Sequence, residues 1–147
     1  MGDSLEQLST AIGLLDTKFG NHKLSSLYKT KAWGNTEQPD FYNQVIIYNT
    51  SLRPQQIFEI TQQVEKNMGR ERKEKWGPRF IDIDILFCGS MIYYSDVLTV
   101  PHPQLHRRRF TLEPLCELAP QFLHPVKNFS LKDLLRLCKD DLAVERI

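Results

Sequence analysis

The chain has 147 residues, of which 41% are hydrophobic and 25% are charged, and this ordinary composition argues against a disordered chain. Its formal net charge of +1 at pH 7 argues against a general nucleic-acid or membrane binder. The sequence contains no apolar run long enough to span a membrane, no secretory signal at its start and no metal-type cysteine spacing. We therefore expect one cytoplasmic domain over residues 1–147, without a nucleic-acid, membrane or obligate protein partner.

Apolar residues recur at helical spacing in two stretches, 3–19 and 54–68, and predict two amphipathic helices. Gly20 ends the first helix, while Pro54 begins the second and Gly69 closes it. Stretches rich in β-branched and aromatic residues predict the strands, which are expected at 23–30, 41–50 and 80–88, with a short hairpin at 89–100. Two further helices are expected, one from about residue 110 and one over 130–139.

The order of these elements is helix, strand, strand, helix, strand. It corresponds to a βαββαβ unit that lacks its first strand, so we predict an α+β fold. The first strand of such a unit lies inside the sheet, and its loss would leave unpaired backbone on two neighbours. We therefore expect that the natural protein has residues before Met1, or that a second copy supplies a strand.

Two aspartates, Asp82 and Asp84, interrupt the apolar stretch 80–86. Residues two apart in a strand point to the same face, about 6–7 Å from each other. Such a pair of carboxylates can bind Mg²⁺. The alternative is a half-exposed strand with a solvated polar face, but aspartate is a poor strand former and its presence here favours a functional site.

Two basic clusters lie on either side of this segment. The first surrounds Trp76 and consists of Arg70, Arg72, Lys73, Lys75 and Arg79. The second contains a threonine and a histidine besides three arginines: Thr99, His102, Arg107, Arg108 and Arg109. Cations beside a divalent ion can neutralise a polyphosphate, and we expect both clusters to converge on the same metal. Alternatively, the first is a solvated basic loop balanced by glutamates and the histidine belongs to a plain turn.

The common nucleotide-binding motifs are missing from the sequence. It has no P-loop, no Gly-rich dinucleotide motif, no kinase catalytic-loop motif and no zinc-deaminase or hydrolase motif. A nucleotide would therefore have to be bound by a different type of site.

The stretches "GRERKEKWGPRFIDIDIL" and "LTVPHPQLHRRRFTLEPLCELAP" resemble those of the 6-hydroxymethyl-7,8-dihydropterin pyrophosphokinases of folate biosynthesis. The resemblance implies transfer of pyrophosphate from ATP to the pterin hydroxymethyl group with release of AMP. It also implies two Mg²⁺ ions and a ferredoxin-like βαββαβ sandwich, an antiparallel sheet with helices on one face, whose first strand is missing from this chain.

The resemblance also implies the roles of individual residues. The metal ligands would be Asp82 and Asp84, which with Arg79 and Arg108 make up the catalytic group. The pterin pocket would consist of Thr30, Trp33, Phe41, Asn43, Trp76 and Phe110. ATP would be bound by Glu65, Arg70, Arg72, Trp76, Arg79, Thr99, His102 and Arg108.

The chain departs from the family pattern at several positions. Phe41 replaces a usual tyrosine, Trp33 lies in an altered loop, and Val97 replaces an arginine of some members. We expect the loops 29–38 and 70–78 to be mobile without ligands. The alternative functions are another Mg²⁺-dependent nucleotide-using enzyme with a D-x-D site, or a non-catalytic nucleotide- or RNA-binding α+β domain.

Overall fold

The structure is a computed structural model that describes residues 2–30, 40–71 and 81–147. The helices within these ranges are α1 (Gly2–Phe19), α2 (Pro54–Glu71), α3 (Arg109–Leu118) and α4 (Leu131–Leu137). The strands are β1 (His22–Leu24), β2 (Tyr28–Thr30), β3 (Phe41–Asn43), β4 (Ile46–Tyr48), β5 (Tyr93–Tyr94), β6 (Thr99–Val100) and β7 (Val144–Arg146). All ladders between these strands are antiparallel, so the predicted α+β class is confirmed.

Helix α1 ends and helix α2 begins where the sequence predicts, but the predicted end of α2 at Gly69 is wrong, because the helix continues through Gly69 to Glu71. The amide of Gly20 donates to the Asp16 carbonyl at 2.9 Å, and Gly20 has a positive φ of 94°, which glycine adopts without strain. Pro54 is the first residue of α2, and the Gln56 side chain accepts from the Arg53 amide at 2.9 Å. That bond satisfies a donor at the start of the helix, as in a capping box.

The two helices pack against each other through buried apolar side chains. The buried residues of this contact are Ala11, Leu15, Val64 and Met68. Their helical spacing explains why the amphipathic pattern was readable in the sequence.

The two predicted long strands are each split by a bulge. β1 pairs with β4 and β2 pairs with β3, in both cases antiparallel. Three residues, 25–27, separate β1 from β2, whereas only two, 44–45, separate β3 from β4. One extra residue on one strand is the definition of a β-bulge. The strands predicted at 23–30 and 41–50 therefore exist but are interrupted.

Polar side chains satisfy the backbone of this bulge. The Val45 amide donates to the Ser25 hydroxyl at 2.9 Å, and Glu117 of α3 accepts from both the amide and the hydroxyl of Ser26, each at 2.9 Å. The Tyr28 hydroxyl also donates to Glu117 at 2.9 Å. The bulge thereby attaches the strands to α3, because buried backbone donors require partners.

Strand β7, which the sequence analysis did not predict, pairs with β2 on the edge opposite β3. Its Arg146 donates to the Tyr28 hydroxyl at 3.1 Å and lies 3.4 Å from Glu117. Burial alone would raise the pKa of Glu117, but hydrogen bonds from Ser26 and Tyr28 and the charge of Arg146 together lower it. Glu117 is therefore a negatively charged junction between β2, β7 and α3.

The segment Ile81–Phe87 forms no β-ladder with any residue that the structure describes. The strand predicted at 80–88 is therefore not found over its described residues, 81–88. Burial still alternates along the segment: Ile81 and Ile83 are half-buried against α1 and α2, whereas Asp82 and Asp84 are exposed. If residues of this chain paired with both edges of the segment, the expected gap in the sheet would be contradicted. Among the described residues, neither edge is paired.

A second core forms where α3 packs on α4. Its most buried side chains are Leu105, Leu112 and Leu131, with exposed fractions of 0%, 0% and 1%. Leu86 and Phe87 pack against this core, so the segment carrying the aspartates contacts the α1–α2 core at one end and the α3–α4 core at the other. Among the described helices, none has both the length and the apolar character needed to cross a membrane.

Candidate active site

Asp82 and Asp84 line a cavity of about 490 Å³. The predicted residues that line it with them are Glu65, Thr99 and His102. Because three separate parts of the chain contribute these side chains, their convergence is a property of the tertiary structure. The aspartates project into this space because the apolar residues alternating with them are held in the helical core.

Glu65 holds the backbone between the two aspartates. Its carboxylate accepts from the Ile83 amide at 2.6 Å. Burial raises the pKa of Glu65, the Ile83 hydrogen bond opposes this, and the charges of Asp82 and Asp84 raise the pKa further. Three carboxylates therefore share one region, which favours a cation or a cationic cluster there.

His102 presents one defined ring nitrogen to the cavity region. Its backbone amide donates to the Leu86 carbonyl at 2.9 Å, and its Nδ1 accepts from the Gln104 amide at 3.1 Å. Burial lowers the pKa of His102, Asp84 opposes this, and Arg108 lowers it. The imidazole is therefore neutral at pH 7 with its proton on Nε2, which can donate to an anionic ligand.

Sequence reasoning missed several residues of this cavity. Phe58 and Gln62 of α2 line it together with Glu65. They precede Glu65 by seven and three residues, so all three lie on one face of the helix. Once Glu65 is assigned to the site, helical spacing therefore predicts that Phe58 and Gln62 lie near the same cavity. Tyr94, which is 79% exposed, also lines the cavity from the β5–β6 hairpin.

The described residues of the predicted pterin pocket also come together. Thr30 of β2 is directly opposite Phe41 of β3, and Asn43 lies two residues further along β3, on the same face as Phe41. The Asn43 side-chain amide donates to the Phe110 carbonyl at 2.8 Å. Strand pairing and this one hydrogen bond thus unite four residues from three elements.

The bond between Asn43 and Phe110 replaces a missing helical bond. A carbonyl in an α-helix normally accepts from the amide four residues later, but Pro114 occupies that position in α3 and has no N–H. The Asn43 Nδ2 group supplies the donor instead. The backbone of α3 is therefore attached to β3 where Phe110 begins its first turn.

Two buried polar atoms in this pocket have no hydrogen-bond partner among the described residues, Thr30 Oγ1 and Asn43 Oδ1. Leaving a buried polar atom unpaired costs about 1–3 kcal/mol, so native structures rarely retain two on neighbouring strands without a reason. Phe41, by contrast, is 59% exposed, which is unusual for so large a ring. Together these features suit a planar ligand that carries both hydrogen-bonding groups and an aromatic face.

Arg108 adjoins both parts of the site. Its guanidinium lies 5.7 Å from the centre of the Phe110 ring, within the range of a cation–π contact, and it is close enough to His102 to lower the pKa of that imidazole. It is therefore suited to bind a phosphate between the cavity and the aromatic pocket.

The second basic cluster does not converge as a whole. Arg109 turns away, and its Nε donates to the Asp140 carbonyl at 2.7 Å, while Arg107 is exposed. The expectation that all three consecutive arginines face one metal is wrong for Arg109, because consecutive residues at the start of a helix point in different directions.

The remaining predicted residues are not described by the structure. Trp33, Arg72, Trp76 and Arg79 lie outside the described ranges, as do most of the loops 29–38 and 70–78. The side chain of Arg70 is likewise not described.

The donor set fits magnesium better than a transition metal. No group of three or more His, Cys, Asp or Glu that could hold a metal occurs among the described residues. Mg²⁺ does not need such a cage, since it commonly binds one or two carboxylates together with phosphate oxygens and water. Asp82 and Asp84 are exposed in the cavity and could serve as these carboxylates.

Comparison with known proteins identifies the family to which the sequence is similar. The model of the 7,8-dihydro-6-hydroxymethylpterin-pyrophosphokinase (HPPK) family matches residues 1–120. A 2-amino-4-hydroxy-6-hydroxymethyldihydropteridine pyrophosphokinase of Aquifex aeolicus is 40% identical over 133 residues, which cover 90% of this chain and 83% of that protein. One of the same name from Synechocystis is 38% identical over 137 residues, covering 92% and 70%.

The chain also matches a relative that is much longer. Folic acid synthesis protein fol1 of Schizosaccharomyces pombe is 37% identical over 137 residues, which cover 92% of this chain but only 19% of that protein. Since the family model matches residues 1–120 and the Aquifex aeolicus protein, 40% identical, is matched over 83% of its length, the chain belongs to the 7,8-dihydro-6-hydroxymethylpterin-pyrophosphokinase family.

Proposed function

We propose that this chain transfers the terminal pyrophosphoryl group of ATP to 6-hydroxymethyl-7,8-dihydropterin in folate biosynthesis. The pterin hydroxyl oxygen bonds to the β-phosphorus, the bond from that phosphorus to the α–β bridging oxygen breaks, and AMP leaves. The hydroxyl proton is released. Family membership supports the reaction, and the residues support the division of the site into two parts.

The observation that carries the proposal is a pair of buried atoms, Thr30 Oγ1 and Asn43 Oδ1, for which the described part of the chain supplies no hydrogen-bond partner. A pterin has a flat ring whose 2-amino-4-oxo edge presents N–H donors and acceptors. The Asn43 oxygen would accept from that edge and the Thr30 hydroxyl would complete the hydrogen bonding. Phe41 and Phe110 would contact the ring, with Trp33 and Trp76 added from the loops as the family resemblance implies.

The cavity would hold the triphosphate. Asp82 and Asp84 would bind Mg²⁺, which when present neutralises phosphate charge. His102 would donate from Nε2, and Thr99 from its hydroxyl. Arg108 would stabilise charge on the transferring group, with Arg70, Arg72 and Arg79 as further cations. Glu65 would contribute to the ATP site by accepting a hydrogen bond from the Ile83 amide and so fixing the backbone between Asp82 and Asp84.

The protein supplies no nucleophile in this scheme. Its contributions are to align the substrate hydroxyl with the phosphorus and to offset the developing charge. We further propose that the sheet and helices form the ferredoxin-like arrangement of a single domain and that two Mg²⁺ ions take part.

The test is to incubate the chain with MgATP and the reduced pterin and to separate the nucleotide products. We expect AMP in amounts equal to the pyrophosphorylated pterin, and none when pterin is omitted. AMP formed without pterin would instead indicate a nucleotide hydrolase with a D-x-D site, and ADP would indicate a single-phosphoryl kinase. Binding of ATP without any turnover would favour a non-catalytic nucleotide-binding domain.

A further inference from the structure

Helix α3 begins without a side-chain cap of its own. Its N-cap residue, Arg108, is extended and makes no side-chain capping hydrogen bond. The four amides at the start of a helix need external partners. One of them is satisfied from a distant part of the chain, because the Asp140 carboxylate accepts from the Arg109 amide at 3.0 Å.

The same two residues are joined a second time through the arginine side chain. The Arg109 Nε donates to the Asp140 carbonyl at 2.7 Å, and Nη2 donates to the Cys138 carbonyl at 3.3 Å. The other carboxylate oxygen of Asp140 accepts from the Leu142 amide at 3.0 Å, which orients the aspartate. We refer to Arg109, Asp140 and the carbonyl of Cys138 as the clasp.

The clasp lies between two residues of the proposed site. Arg108 and Phe110 flank Arg109 in sequence, and the Arg108 guanidinium lies 5.7 Å from the Phe110 ring centre. The Phe110 carbonyl is held on the other side by Asn43 at 2.8 Å. The backbone of residues 108–110 is thus held from two directions, by β3 and by the segment that follows α4.

We infer that Asp140 is a positioning residue for the reaction, acting through Arg109 to set the direction in which Arg108 and Phe110 leave the backbone. The inference rests on the proposed function, since it assigns those two residues to the phosphate and the pterin. Asp140 itself is not among the residues assigned to either substrate. Its loss would let the first turn of α3 shift, and a displacement of about 1 Å at a positioned group lowers rates by up to roughly a hundredfold.

A purely structural cap would behave differently, and the chain contains a matched control. Ser130 caps α4 by accepting from the Asp133 amide at 3.1 Å, in a helix that contributes no residue to the proposed site. Ser130→Ala and Asp140→Ala each remove one side-chain cap from a helix N-terminus, and Asp140→Ala also removes the acceptor of the Leu142 amide. We expect both variants to lose stability in chemical denaturation, Asp140→Ala more than Ser130→Ala.

The two variants should differ in their steady-state kinetics. We expect Asp140→Ala to raise the KM for the pterin about tenfold and to lower kcat severalfold, whereas Ser130→Ala should change each by less than about twofold. Asp140→Ala and Asp140→Asn both keep the backbone carbonyl that the Arg109 side chain binds. Asp140→Asn also keeps a side-chain oxygen that can cap the Arg109 amide, so it should restore the pterin KM to within about threefold of the parent.

Amide hydrogen exchange gives a readout that does not need turnover. Asp140→Ala should speed exchange over residues 109–112, and Ser130→Ala should not. If Asp140→Ala leaves the pterin KM and kcat like those of Ser130→Ala, the inference is overturned while the proposed function stands. If the parent chain forms no pterin-dependent AMP, the proposed function fails and the positioning role fails with it.

Discussion

Replacing Asn43 by leucine separates a binding role from a structural one. The substitution keeps the approximate shape of the side chain but removes both its polar atoms. It breaks the 2.8 Å hydrogen bond to the Phe110 carbonyl, leaving that carbonyl unpaired at a cost of about 1–3 kcal/mol. It also removes the Oδ1 atom, which has no partner among the described residues, and this recovers about 1–3 kcal/mol.

The two changes in folding free energy therefore offset each other, and we expect the free energy of unfolding to stay within about 2 kcal/mol of the parent. Pterin binding has no such offset, because the ligand would bury polar groups against leucine. We expect a loss of about 2–3 kcal/mol, which is roughly a 30- to 150-fold rise in Kd.

Urea denaturation would measure the first quantity and a fluorescence titration with 6-hydroxymethylpterin the second. Gln44→Leu is the matched control, since the neighbouring side-chain amide also donates to a backbone carbonyl, that of Ser25 at 3.1 Å, but faces away from the pocket. It should cost about 1 kcal/mol of stability and leave the pterin Kd unchanged. A loss of more than about 3 kcal/mol of stability in Asn43→Leu, with an unchanged Kd, would refute the reasoning.

Three other perturbations test the rest of the structure. Asp82→Asn and Asp84→Asn should each remove most turnover. The unfolding midpoint should stay near that of the parent, because both side chains are exposed. Near-full activity in saturating Mg²⁺ would contradict the metal assignment. Arg108→Ala should lower the single-turnover rate more than the pterin affinity, because its proposed partner is the transferring phosphate, and an equal loss of both would place its contact elsewhere. The lowered pKa of Glu117 means that this carboxylate stabilises the fold fully above the unfolded glutamate pKa of about 4.3, and that the stabilisation is lost as the pH falls through the lower folded value. The stability difference between the parent and Glu117→Gln should therefore shrink below about pH 4, and a pH-independent difference in denaturation experiments would show that the charge of Glu117 is not responsible.

The sequence by itself determined the features that depend on local periodicity. The end of α1 and the start of α2 follow from apolar spacing and from Gly20 and Pro54, which act on their own backbone. The exposure of Asp82 and Asp84 follows from alternation along the chain, which holds even though that segment pairs with no described strand.

Only the tertiary structure decided the features that depend on partners far away in the chain. The bulge at 25–27 needs Glu117 as an acceptor, and the third arginine of the triplet points away from the site because Asp140 binds it from 31 residues further along. Neither hydrogen bond produces a periodic pattern of residues in the sequence. A side chain in a loop takes its direction from whichever distant group satisfies its hydrogen bonds, and that group is fixed by packing.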